Sequence, residues 1–351
     1  MNAYKDYRDK AIELHKKSIV FDAHADIPLN IALMRQIGDT KVFERLHAPK
    51  FLAGGVNACG MTVWVDDEDH QQFVFGGLDH PLAVALRVMD HMQREFEESP
   101  NVIMHARSVK EIRQGVKDGK IATLLHLEGG MPLGTNLDYL RLFYRCGVRS
   151  IGLTCHVRNL IADGNKERSN SGLSNFGVEL IEEMNKLSMI VDVSHLSVRA
   201  FFDVLEFAKD PVVATHSNSA SAHESFPGRN LSDEQIKALA EKGGVMGMNA
   251  YTDIVSNVKP SLAKLLDHVD YIDNLVGVDH IGLGCDFVDF SGFPKDPCLW
   301  PAEPAGCEGL EDTSKMHNFT EGLLSRGYSD QDTKKILGEN FLRVYERILG
   351  S

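Results

Sequence analysis

A parallel (β/α)8 barrel with an added C-terminal helix is the fold this sequence predicts, and three observations predict it. Eight short apolar or β-branched runs alternate with eight segments of helical spacing, which is the pattern of a closed barrel rather than an open sheet. Most of the runs lack polar alternation, as strands buried on both faces require. Several of them end on a histidine or a carboxylate, and barrels of this kind keep their chemistry at the carboxyl ends of the strands.

In chain order the predicted strands are 18–24, 56–65, 121–128, 148–155, 189–195, 211–216, 244–250 and 280–286. Helical spacing of apolar residues falls at 81–98, 108–118, 136–146, 175–187, 197–208, 232–241, 261–276 and 313–325. Asn136, Ser197 and Ser232 stand where N-caps belong, because their short side chains accept from the first unpaired N–H groups. Gly147, Gly243 and Gly277 stand where helices end. The segment 330–349, entered through Ser-Asp-Gln-Asp, is the added C-terminal helix. Connections 66–80, 156–174 and 287–312 are longer than usual and follow strands, which puts them on the catalytic face as pocket-building loops. No repeat or low-complexity linker divides the chain, so one barrel domain over 1–351 is expected.

The bulk numbers exclude several classes. An apolar fraction of 43% supports a real core. A formal charge of −13 argues against nucleic-acid binding, which needs a lysine and arginine surplus. No run of about eighteen apolar residues is present, so no membrane span is expected. The N-terminus is charged and lacks the apolar stretch of a signal peptide, so a cytoplasmic protein is expected. Cys59, Cys146, Cys155, Cys285, Cys298 and Cys307 show no Cys-x-x-Cys spacing and read as reduced thiols.

The strand ends carry the candidate site. Residues i and i+2 of a strand project to the same side, so His24 and Asp26 pair as ligands for one Zn²⁺-type ion, with Asp22 sharing their parity if the strand continues. By itself His-x-Asp is common; its place at the end of the first buried run is what counts. Glu128 closes Leu-Leu-His-Leu-Glu-Gly-Gly, where an unligated carboxylate is costly. Its two oxygens suit it to bridge two cations. His195 and His216 end consecutive strands about 4.8 Å apart, so both imidazoles reach one ion. A lone histidine is usually a satisfied core residue, but two at matching positions point to a ligand pair. Asp286 ends the last strand, beside the first once the barrel closes, and is expected to carry a proton to and from a metal-bound water. Three histidines and three carboxylates therefore make a site for two divalent cations, Zn²⁺ or another divalent metal. Arg229, followed by Asn230, offers a rigid fork for a substrate carboxylate. Cys285 and Cys155 are the thiols near the site and read as packing residues.

The chain resembles the membrane (renal) dipeptidase family, zinc peptidases of the amidohydrolase superfamily. The matching segments are Asp-Ala-His-Ala-Asp (22–26), Leu-Glu-Gly-Gly (127–130), Asp-Val-Ser-His (192–195), Thr-His-Ser (215–217), Arg-Asn-Leu-Ser-Asp (229–233), Gly-Cys-Asp-Phe (284–287), Gly-Leu-Glu-Asp-Thr-Ser-Lys (309–315) and Glu-Asn-Phe-Leu-Arg-Val (339–344). They run in the family's order from about residue 18 to the end. The resemblance implies that His24 and Asp26 hold one zinc, Glu128 bridges, and His195 and His216 hold the other. It implies Asp286 as proton shuttle, and Arg229 with Tyr251 near the substrate carboxylate. The implied reaction is hydrolysis of L-L and L-D dipeptides by a metal-bridging hydroxide, with a small dipeptide as the partner and a homodimer allowed.

One departure stands out. Where the family has Leu-Thr-His, with a histidine that polarises the scissile carbonyl, this chain reads Leu153-Thr154-Cys155-His156. In an unbroken strand Cys155 faces inward and His156 outward; a bulge between Thr154 and His156 is needed to reverse that. The preferred expectation is Cys155 inward. The departure also admits a second reading, a metal-dependent amidohydrolase acting on N-acyl amino acids or lactams. A third, a non-catalytic binding protein on the same barrel, sits poorly with six intact site residues.

Overall fold

The computed structural model describes residues 7–65, 80–292 and 306–350. Most of the connection 66–80 and part of 287–312 lie outside them, as does Cys298. The strands are β1 (Phe21–Ala25), β2 (Ala58–Trp64), β3 (Ile103–His105), β4 (Ile121–Glu128), β5 (Val148–Gly152), β6 (Ile190–Asp192), β7 (Val213–Ser217), β8 (Val245–Met248) and β9 (Ile281–Leu283). All pairings are parallel, and β1, β2, β4, β5, β6, β7, β8 and β9 close into a ring as β9 returns to β1. The expected (β/α)8 barrel is present, helices surrounding it and a helix closing the chain.

β4 shows why the apolar runs read correctly. All eight of its residues are buried, which fits a strand covered on both faces. Its first residues pair with β3 (Ile103↔Ile121) and its last with β5 (Glu128↔Gly152). The short β3 thus extends the sheet outside the ring, and three residues ending in His105 give too little pattern to predict.

The C-terminal segment plugs the amino end of the barrel. Phe341, Leu342, Tyr345 and Ile348, from the helix Asn340–Leu349, pack with Phe21, Ala58, Ile190, Val213 and Val245 at the strand starts. The Phe21 and Tyr345 rings meet edge to face, 5.5 Å apart, a geometry the aromatic quadrupole favours. The predicted helix 330–349 is instead Asp330–Lys334 and Asn340–Leu349 joined by the π-turn Lys335–Glu339.

The predicted caps hold. Asn136, Ser197 and Ser232 each accept from a first-turn N–H, Ser232 in a full capping box with Gln235. Gly147, Gly243 and Gly277 all adopt positive φ. The helices Arg8–Lys16, Ile27–Gln36 and Ala48–Gly54 went unpredicted. In the second, every residue from Ile27 to Met34 is buried, so it has no polar face to reveal helical periodicity.

Four strands stop two or three residues short of the predicted ends. Their pairing ends at Gly152, Asp192, Met248 and Leu283, whereas the predictions ran to 155, 195, 250 and 286. The last two or three predicted residues of each belong to the loops that form the site. No helix among the described residues is long and apolar enough to cross a membrane.

Candidate active site

Glu128 sits at the centre. Its Oε2 lies 3.3 Å from His24 Nε2, while Oε1 lies 3.0 Å from His195 Nε2 and 3.3 Å from His216 Nε2. His24 Nε2 is also 3.7 Å from Asp26 Oδ1 and 3.9 Å from Asp286 Oδ1. The six residues therefore form two ligand groups, His24 with Asp26 and Asp286, and His195 with His216, joined by one carboxylate.

Each position has a local cause. His24 lies in β1, and Asp26 immediately precedes the helix Ile27–Gln36. The register of β1 against β2 shifts between Asp22 and Ala25, so Asp22 does not follow His24 into the site. It accepts instead from the backbone N–H groups of His24 and Cys285, at 3.3 and 2.9 Å. After Glu128 the chain turns at Gly129 with φ +86°, and a Cβ on Gly130 would stand 2.2 Å from the Ile161 side chain. The glycine pair thus admits close packing against the β5 loop rather than approach to a ligand. His195 and Asp286 adopt left-handed backbone, φ 62° and 59°. For non-glycine residues that conformation costs of the order of 1–2 kcal/mol and survives where its surroundings fix it. Both lie beyond their strands, so strand parity does not set their direction.

Supporting hydrogen bonds orient the ligands. Thr215 Oγ1 donates to Asp192 Oδ2 at 2.6 Å and faces His216 Nδ1 at 2.8 Å and His24 Nδ1 at 3.3 Å. With its proton committed to Asp192, this oxygen accepts from both imidazoles, which leaves both Nε2 lone pairs facing Glu128. Asp192 Oδ1 accepts from the Ser194 and Thr215 N–H groups. Asn249 Nδ2 donates to Asp286 Oδ2 at 2.8 Å, and Asn218 holds Asn249 through its backbone. Asp192, Thr215 and Asn249 were not among the predicted site residues. An acidic residue, Asp192, inside the buried run Val-Asp-Val was the available signal.

Burial governs the charges here. It pushes the Glu128 carboxyl up to about 7, against the pull of the His24 imidazole. It raises Asp286 too, and lowers His195 and His216 well below the usual imidazole value, with Arg229 adding to the effect at His195. Burial also lowers His24, but Glu128 and Asp26 outweigh it and raise that imidazole well above the ordinary value. His24 Nε2 and Asp26 Oδ1 are buried without a geometric hydrogen-bond partner among the described residues. Imidazole nitrogens and carboxylate oxygens, buried and turned toward each other, suit a borderline divalent cation. The residues present fit such ions.

A cavity of about 290 Å³ opens beside this cluster, lined by Asp26, Glu128, His195 and Asp286. Arg229, Tyr251, Cys155 and His156 also line it, so the predicted site residues that face the cavity converge there. Arg229 is buried, with Nη2 donating to the His216 carbonyl at 2.7 Å. Its neighbour Asn230 is structural, tied to Asn218, Ser225 and Ile254. The expected choice between Cys155 and His156 does not arise: β5 ends at Gly152, and both residues line the cavity. The His156 ring stands edge-on to His195, centroids 4.6 Å apart. Trp64, Lys166, Phe226, Val288 and Phe290 complete much of the wall.

Residues 8–349 match the profile of the family described as Membrane dipeptidase (Peptidase family M19). The chain belongs to the membrane dipeptidase family. It is similar to Dipeptidase verJ of Clonostachys rogersoniana, 30% identical over 356 residues that cover 98% of this chain and 87% of that protein. Dipeptidase tcpJ of Claviceps purpurea is also 30% identical, across 90% of this chain and 74% of its own. Among solved structures, an amidohydrolase from Pseudomonas aeruginosa superposes with a TM-score of 0.81 at 25% identity, covering 97% of this chain and 99% of that one. The dipeptidase AC structure, at 24% identity and a TM-score of 0.81 over 95% and 99%, shares the fold. As a member of the membrane dipeptidase family the protein is a metallo-dipeptidase, a hydrolase that requires a divalent metal.

Proposed function

We propose that the protein is a binuclear zinc dipeptidase acting on L-L and L-D dipeptides. The observation that carries this reading is Glu128, with one oxygen toward His24 and the other toward His195 and His216. His24 and Asp26 would hold one ion, His195 and His216 the other, and Glu128 both. Two such ions supply a water ionised near neutral pH and an electrophile for the scissile carbonyl.

The chain's own residues do the rest. Arg229 presents a fork to the substrate's free carboxylate, with Tyr251 beside it. That anchor is common to L and D residues at the C-terminal position, so both isomers are included. His156 lies on the cavity wall next to His195, placed to donate to the scissile carbonyl. Asn249 holds Asp286 Oδ2, which leaves Oδ1 to take a proton and return it to the leaving amine. Trp64, Phe226, Val288 and Phe290 favour apolar substrate side chains.

The test is turnover of an L-Xaa-L-Xaa and L-Xaa-D-Xaa dipeptide library by zinc-reconstituted protein, beside N-acyl amino acids. The reading expects free dipeptides to be the better substrates. Preference for N-acyl amino acids would replace it with the amidohydrolase reading.

A further inference from the structure

We propose that Cys155, His156 and His195 form a side subsite for a thiophilic divalent cation, and that filling it blocks the substrate cavity. The blocking rests on the dipeptidase reading; the subsite itself does not. One ligand atom from each of the three residues lies within 4.8 Å of the others. Zn–S bonds of about 2.3 Å and Zn–N bonds of about 2.0–2.1 Å place tetrahedral ligand atoms roughly 3.3–3.8 Å apart, so small side-chain rotations complete the set.

Two further observations point to a ligand here. His195 turns Nε2 toward Glu128 and His216, and its Nδ1 is buried with no hydrogen-bond partner among the described residues. The backbone beyond Gly152 is no longer a strand, so consecutive residues Cys155 and His156 both face the cavity, which an unbroken strand would forbid. A thiolate and imidazoles make a soft donor set, unlike the carboxylate-rich set beside it, and so favour Cd²⁺ or Zn²⁺ over harder ions. On binding, the thiol proton and the proton on His195 Nδ1 leave to solvent, and the freed sulfur and nitrogen lone pairs enter the bonds, so that His195 would span the subsite and the neighbouring zinc position as an imidazolate. The ion then stands where the substrate carbonyl must lie.

Cadmium alone is the probe. Metal-stripped full-length protein is titrated with Cd²⁺ while ultraviolet thiolate-to-cadmium absorption and bound metal are recorded. A parallel titration of the zinc-loaded enzyme follows dipeptide turnover. The expected result is three equivalents of cadmium in all, one of which brings the charge-transfer absorption, and at least a tenfold loss of turnover as cadmium is added to the zinc-loaded enzyme. Cys155→Ser should abolish the absorption and the equivalent that brings it, with the cadmium response of its own turnover flattened. His156→Ala should weaken the absorbing equivalent at least tenfold while its other two equivalents report an intact fold. Absence of the absorption, its persistence in Cys155→Ser, or saturation of binding at only two equivalents in all would each overturn the subsite. If no dipeptide is cleaved at all, the dipeptidase reading fails, while absorption and stoichiometry still decide the subsite.

Discussion

Thr215 donates its hydroxyl proton to Asp192 at 2.6 Å and turns the same oxygen to the Nδ1 atoms of His216 and His24. One hydroxyl thereby sets the tautomers of two histidines that belong to different ligand groups. Removing such a partner typically weakens metal affinity about 10–100-fold. Thr215→Val keeps the shape and loses the oxygen, so it should shift chelator-competition curves by that factor, whereas Thr215→Ser should stay near wild type. Equal affinities in all three would show that the hydroxyl does not govern the ligands.

Asp286 is the second test. Its Oδ2 is engaged by Asn249, and its Oδ1 stands 3.9 Å from His24 Nε2. Asp286→Asn should lower kcat by about 10² or more while metal content stays near wild type. Near-normal turnover would remove Asp286 from proton transfer, and loss of metal would make it chiefly a ligand.

Arg229 is buried and already bonded to the His216 carbonyl, so its planar fork is held in one orientation. Lysine offers a point charge without that fork. Arg229→Lys should lower kcat/KM by about 10-fold or more for free dipeptides, and C-terminally amidated dipeptides should be poor substrates of the native enzyme. Equal turnover of amidated and free dipeptides would assign Arg229 another task.

Stability should fall on mild acidification for reasons outside the site. Burial lowers His15 to about 3, and His105 and His268 to about 4. Each is bonded as a neutral ring; His268 Nε2 lies 2.9 Å from the Val255 carbonyl. A histidine whose folded pKa is depressed stabilises the fold fully above its unfolded value of about 6.5, and loses that contribution as pH falls toward the folded value. Between about pH 6.5 and 4 each such ring contributes a slope of up to about 1.4 kcal/mol per pH unit. Tm should therefore drop from pH 7 to about pH 5, and less so in His268→Gln, which keeps a donor for Val255. A flat Tm across that range would contradict the assignment.

The barrel was legible because strands buried on both faces write themselves as apolar runs, as in Ile121–Glu128. Convergence on one cluster was legible from position, since His24, Glu128, His195, His216 and Asp286 each close such a run. Direction was not. His195 and Asp286 leave the strand in left-handed backbone, and Cys155 and His156 come after pairing has stopped at Gly152, so a period of two could not orient them. Asp192, Thr215 and Asn249 were missed because hydrogen-bonded support depends on partners far apart in the chain. Thr215 meets His24 across 191 positions of sequence.

The most direct test of the two-cation account is a metal titration of stripped protein, with bound zinc and turnover of an unmodified dipeptide followed together. The account predicts no turnover in chelator and a rise that reaches its maximum at two equivalents per chain. Full turnover by protein that holds no metal would contradict it.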